Sequence, residues 1–191
     1  VSIALYFTYT PSTRSTTISV VQPNIPCYED ERKAAEMMNP TDDVCRLVAS
    51  TPAECDYVIM PESMLAYIPG IYSADEEALE CVKPILAEIY GDQLSGSKMI
   101  IGASTVRYYG DNRETSTARH SDYYGWYDHY NSALLVNEGG DVEDIYHKGK
   151  LVIGVEAVPL KALFDLFEVD LGGISGQLGW GTEYTIFENN N

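Results

Sequence analysis

Apolar residues in this chain fall into short runs separated by turn-forming residues, and the spacing within the runs alternates between two kinds. Residues 17–22, 56–60 and 98–103 are compact runs rich in Ile, Val and Met. Each reads as a buried strand. Pro23 ends the first and Pro61 the second, because proline cannot continue a ladder as a donor. Between them, Val44, Leu47 and Val48 recur at helical spacing behind Asn39-Pro40, a cap followed by a first-turn proline. Leu79, Val82, Leu86 and Ile89 recur in the same way behind Ser73 and the acidic residues 75–77, which suit the positive end of a helix. Pro84 predicts a kink or a restart there. Residues 29–38 also read as helical.

The second half of the chain reads differently. Residues 131–137 and 142–147 flank Glu138-Gly139-Gly140-Asp141, a hairpin signal in which glycine supplies positive φ. Residues 107–130 hold Tyr108, Tyr109, Tyr123, Tyr124, Trp126, Tyr127 and Tyr130 among polar residues. They read as a long aromatic loop or a ragged hairpin. A short amphipathic helix is expected at 158–167. A glycine-rich loop around Trp180 and a last strand at 184–187 follow. Strands that alternate with helices early and pair as hairpins later predict an α/β fold with a mixed sheet.

Length and charge narrow the picture. A chain of 191 residues, 45% hydrophobic and 21% charged, suits one globular domain. A net charge of −17 repels phosphate backbones and gives no polybasic membrane anchor. Cys27, Cys45, Cys55 and Cys81 form no C-x-x-C pair and have no histidine cluster, so the pattern argues against a zinc site. It leaves disulfides and buried thiols open. Residues 1–9 are apolar but shorter than the ~20 residues a membrane-crossing helix needs. They read either as the tail of a larger hydrophobic element or as an ordinary strand.

Three charged residues stand out by position. Glu62 follows the strand at 56–60 and Pro61, at the carboxyl edge of a sheet, where α/β proteins place their sites. Lys148 ends the second strand of the hairpin, and Glu156 returns eight residues later beyond Leu151-Val152-Ile153. A lysine and a carboxylate so placed can be aimed into a cleft. Taken singly, each is ordinarily a solvated surface residue.

The string Tyr146-His147-Lys148, Leu151-Val152, Glu156 and Pro159-Leu160 resembles the lysine segment of the nitrilase superfamily. More narrowly, it resembles the apolipoprotein N-acyltransferase branch, as does Val21-Gln22-Pro23-Asn24-Ile25-Pro26. Ile153-Gly154-Val155 stands where that branch has Pro-Phe-Gly. The resemblance runs from about Thr17 onward. It implies a nitrilase-like four-layer α-β-β-α sandwich, incomplete at the C-terminus, over residues 17–191. Residues 1–16 would be an apolar membrane-proximal remnant and linker. It further implies a Glu–Lys–Cys triad in which Glu62 is the general base, Lys148 stabilises the oxyanion and Glu156 supports Lys148. No cofactor or metal is implied. The family's nucleophilic cysteine follows its lysine, whereas all four cysteines here precede Lys148. The chain is therefore expected to stop short of the nucleophile and to be inactive alone. In that branch a fatty acyl group passes from a phospholipid to the N-terminal diacylglyceryl-cysteine of a lipoprotein. The domain sits on the periplasmic face of the bacterial inner membrane, held through segments outside this chain. A soluble amidase or nitrilase, and a non-catalytic binding domain on the same fold, remain open alternatives.

Overall fold

In the computed structural model the described residues are 2–10, 13–23, 40–67, 76–153, 156–157 and 178–187. The helices expected at 29–38 and 158–167, the cap Ser73, the segment 24–30 and Cys27 lie outside them. The strands are β1 (Ile18–Val20), β2 (Tyr57–Ile59), β3 (Lys98–Gly110), β4 (Arg119–Ser121), β5 (Gly125–Val136) and β6 (Val142–His147). They form one sheet in the order β1-β2-β3-β5-β4, with β6 also paired to β5. The pairs β1–β2 and β2–β3 are parallel, and the rest are antiparallel. This is the mixed α/β sheet that the alternating pattern predicts.

The helices are α1 (Ser2–Thr8), α2 (Pro40–Ala49) and α3 (Glu76–Tyr90). Val44 and Val48 of α2 and Val82, Leu86 and Ile89 of α3 form one core with Val58, Met99, Ile101, Leu134 and Val136 of the sheet. Fully burying each such side chain contributes roughly 1.5–3 kcal/mol. On β3 and β5 the core residues are alternate positions: Met99 lies opposite Val136, and Ile101 opposite Leu134. The intervening positions, Gly102, Ser104, Asn131 and Ala133, therefore share the other face. The described residues thus supply one sheet and one helical layer, an α-β pair of the kind that a four-layer sandwich contains twice.

Four local expectations need correction. The strand expected buried at 17–22 is an edge strand of three residues, with Ile18 and Val20 exposed and only Val21 buried beyond its end. Helix α3 does not restart at Pro84 but continues through it, with the proline exposed while Val82 and Leu86 on either side are buried. Of the two readings of the aromatic stretch 107–130 the hairpin holds and the loop does not: β3 continues to Gly110, β5 begins at Gly125, and β4 folds back on it. Residues 184–187 are not a strand. They have no ladder partner among the described residues, and Tyr184 and Ile186 are exposed. At the N-terminus, α1 is a short helix rather than a strand, with Tyr6 and Phe7 exposed. No helix among the described residues is long and apolar enough to cross a membrane.

Candidate functional site

Glu62 owes its position to a glycine. β2 ends at Ile59, and the Met60 amide still bonds the Ile100 carbonyl of β3. The chain then turns across the face of β3 at Gly102. A Cβ on Gly102 would lie 2.4 Å from both the Glu62 Cα and the Pro61 carbonyl oxygen, closer than real Cβ contacts come. Only glycine lets the backbone of Glu62 rest on the strand. Ser63, next along, takes a left-handed conformation with φ 57°, uncommon for a residue with a side chain. The turn thus carries local strain beside the carboxylate.

Lys148 begins where β6 ends. Its amide bonds the Asn131 carbonyl at 2.8 Å, which extends the β5–β6 ladder by one residue. Its ammonium then reaches two carboxylates, Glu62 Oε2 at 3.2 Å and Glu156 Oε1 at 2.9 Å. The plain reading of Lys148 and Glu156 as solvated residues fails here: their side chains are 24% and 13% exposed. Glu62 stays open at 66%.

Asn131, which the sequence reading did not single out, ties the group together. Its Nδ2 donates to Glu62 Oε2 and to Glu156 Oε1, both at 3.0 Å. One amide therefore spaces two carboxylates that would otherwise repel. Glu156 is saturated, since its Oε2 also accepts the Val152 amide at 2.7 Å. Burial alone would raise the Glu156 pKa, but the Val152 amide, Lys148 and Asn131 together hold it below the usual carboxylate range. For Lys148 burial works downward, and the bonds and charges of Glu156 and Glu62 outweigh it and raise the pKa. The pair is accordingly ionised at neutral pH. A signal for Asn131 did exist, in a polar residue opening the apolar run 131–137; so did one for Gly102, a glycine inside a strand.

A second polar cluster occupies the opposite face of the same strands. Ser132 Oγ lies 2.7 Å from Thr105 Oγ1 and 2.8 Å from His147 Nδ1, and the Tyr130 ring lies against the His147 ring. Tyr109 donates to Asp128 Oδ2 at 2.9 Å and, having one proton, accepts from Tyr130 at 3.0 Å. Thr115 also donates to Asp128 Oδ2. Asp128 Oδ1 is buried with no partner among the described residues. Burial raises the Tyr109 pKa, aided by Tyr130 and Asp128. Burial, with Arg107 nearby, lowers that of His147.

The described cysteines stand elsewhere. Cys55 and Cys45 are free thiols. Cys55 belongs to the core and contacts Ser97, and Cys45 bonds the Glu88 carbonyl between α2 and α3. No cluster of three or more potential metal ligands occurs among the described residues.

No family model matches the chain, and no curated protein matches it. Solved structures do. An N-terminal amidase, also solved with Gln-Gly and Asn-Glu peptides, is 19% identical; the match covers 72% of this chain and 28% of that one at a TM-score of 0.37. A carbon–nitrogen hydrolase from Helicobacter pylori G27 is 13% identical, with 72% and 40% covered and a TM-score of 0.40. A mutant of the Nesterenkonia AN1 amidase from the nitrilase superfamily is 15% identical, with 75% and 46% covered and a TM-score of 0.38. This chain spans less than half the length of each. These three are an amidase, a carbon–nitrogen hydrolase and an amidase by their own descriptions.

Proposed function

We propose that Glu62, Lys148 and Glu156 form the acid–base and oxyanion-binding part of an acyl-transfer centre of the nitrilase superfamily. Its nucleophile would be a cysteine carried outside these 191 residues. The observation that carries this reading is the meeting of Lys148 with Glu62, 86 residues away, and with Glu156. A single buried amide bridges the two carboxylates.

The roles follow from the hydrogen bonding. An ammonium has three donors. Two of those on Lys148 are taken by carboxylates, and the third, without a partner among the described residues, is available to an oxyanion. A fixed donor of that kind is worth about 3 kcal/mol or more in a tetrahedral transition state. Glu156 has both oxygens engaged by donors, so it holds Lys148 rather than exchanging protons. Glu62 accepts through Oε2 alone; its Oε1 has no protein partner among the described residues, and the side chain is open. It is the group able to take a thiol proton. The resulting thiolate attacks the acyl carbon and the leaving group departs with a proton from Glu62, leaving an acyl thioester. A second nucleophile then releases the acyl group.

Within the superfamily the reading extends to the apolipoprotein N-acyltransferase branch, with a phospholipid as acyl donor and the α-amino group of a lipoprotein as acceptor. The segment Val21–Pro26 and the Leu151-Val152 to Pro159-Leu160 string support it, and the exposed Tyr6, Phe7 and Tyr9 suit a membrane-proximal start. The test is to give the full-length protein a phospholipid and a diacylglyceryl peptide. A hydroxylamine-sensitive acyl-enzyme followed by an N-acylated peptide supports the branch. Release of free fatty acid to water, or hydrolysis of small amides only, makes the protein a hydrolase with the same three residues.

A further inference from the structure

The outer edge of β5 is not covered by one strand. β4 pairs it as far as Tyr127, and β6 pairs it from Ser132 onward. In the gap lie the carbonyls of His129 and Asn131. The second takes the Lys148 amide, and the first takes the Gly179 amide at 2.8 Å. The segment that brings Gly179 there makes two further bonds of the same kind. The Leu178 amide donates to the Glu156 carbonyl at 2.9 Å, and the Gly181 amide to the Lys148 carbonyl at 3.1 Å. Four residues thus fasten the backbones of both Lys148 and Glu156 to the edge of β5.

The approach is too close for side chains. A Cβ on Gly181 would stand 2.2 Å from the His147 carbonyl oxygen, and one on Gly179 would stand 2.6 Å from the Tyr130 ring. The arm so held needs the support. Between Lys148 and Glu156 the described residues contain no regular element beyond the single bridge from Ile153 to Ala157. Inside the arm the Glu156 and Ala157 amides both bond the Val152 carbonyl, at 2.9 and 3.1 Å, a turn that fixes its shape but does not pin the Glu156 main chain to the sheet.

We infer that residues 178–181 are a positioning clamp, whose backbone amides hold Lys148 and Glu156 at the geometry Glu62 requires. This rests on the proposed acyl-transfer reading for its purpose, though not for its existence. The clamp touches no reacting atom; it acts through the main chain of Lys148, which does, and of Glu156, which holds Lys148. Its disruption would let the Lys148 ammonium drift from Glu62, and a misplacement of about 1 Å can cost ~100-fold in rate.

Two variants of the full-length protein test it. Gly181→Ala forces a Cβ against the His147 carbonyl, and Leu178→Pro deletes the amide that bonds Glu156. Gly125→Ala serves as the control, since its Cβ would meet the Gly110 carbonyl oxygen at 2.3 Å, a similar clash at the far end of the hairpin. Titration of the Lys148 ammonium by ¹⁵N NMR is the readout besides activity. The clamp predicts that both test variants lower the Lys148 pKa toward that of a free lysine and that Gly125→Ala leaves it in place. Acylation at saturating substrate should fall at least ~10-fold in the test variants with KM little changed. An unmoved Lys148 titration in folded Leu178→Pro overturns the clamp even if Gly181→Ala does not fold. An equal shift in Gly125→Ala also overturns it. A shifted titration with unchanged acylation keeps the clamp and rejects the acyl-transfer reading.

Discussion

Two polar clusters sit back to back on β5 and β6, offset by a single residue on each strand. Asn131 and Lys148 face one way, Ser132 and His147 the other. The first cluster gathers two carboxylates and an ammonium and leaves Glu62 open. The second gathers hydroxyls, an imidazole and one carboxylate, and it is closed: Ser132 is 4% and Asp128 1% exposed. Burial pushes both toward neutral forms, with opposite outcomes. In the closed cluster it favours neutral forms, lowering His147 and raising Tyr109. In the open cluster mutual pairing overcomes burial and keeps both partners of the Lys148–Glu156 pair charged. Charge held in place beside an open acceptor suits chemistry, whereas a closed, hydrogen-bonded network suits register. The period-two alternation of a strand lets one segment serve both.

Substitutions can break that division, and the largest effect belongs to Glu62. Glu62→Gln keeps the shape and the contact with Lys148 but removes the base. In the full-length protein acylation should fall by ~10²–10⁴-fold, while thermal stability changes little because the side chain is exposed; an intermediate trapped at the normal rate would show that another group is the base. Next comes Asn131→Asp, which replaces the spacer between two carboxylates by a third. It should cost about 3 kcal/mol at neutral pH, by analogy with an uncompensated buried charge. The deficit should shrink on acidification as the added carboxyl protonates, and denaturant midpoints at two pH values would reveal whether it does.

Smaller effects are expected in the closed cluster. Ser132→Ala removes the hydroxyl shared by Thr105 and His147 and should cost about 1–2 kcal/mol without altering acylation per folded molecule. His147, with a folded pKa below its unfolded value, stabilises the fold fully above pH about 6.5. That contribution declines as the pH falls toward the folded pKa, because the unfolded state binds the proton first. A stability–pH curve for His147→Phe should lack this slope; an identical slope in the variant would mean that another group produces it. The smallest change is expected at the tip of the aromatic hairpin. Tyr123 is 85% exposed, so Tyr123→Ser should stay within about 0.5 kcal/mol of the parent by thermal melt.

Much of this was legible from residue order. The core positions of α2 and α3 follow from helical spacing, and the hairpin follows from Gly139-Gly140, both with positive φ. Glu62 and Lys148 stood out by their places at strand ends, Glu156 by its return eight residues after Lys148, and all three by the resemblance to the nitrilase pattern; the structure brings them together. Other features were not legible, for physical reasons. The exposure of Ile18 and Val20 depends on which strand lies at the sheet edge, and composition does not encode that. Asn131 acts only because the β3–β5 register sets it opposite Ser104, beside the turn that rests on Gly102. The aromatic stretch is the hairpin rather than the loop because Gly110 and Gly125, again at positive φ, meet closely across the strands; tyrosine-rich polar sequence alone leaves both open.

The central claim is that Lys148 serves the reacting oxygen and does more than neutralise two carboxylates. Single-turnover acyl-enzyme formation by full-length Lys148→Met, followed by intact-protein mass spectrometry, tests it most directly. Methionine keeps an unbranched side chain one atom shorter and removes its charge and donors. The account predicts a loss of at least ~100-fold relative to the parent, with the Glu62-containing turn still folded. An acyl-enzyme that forms within a factor of two of the parent rate would contradict it.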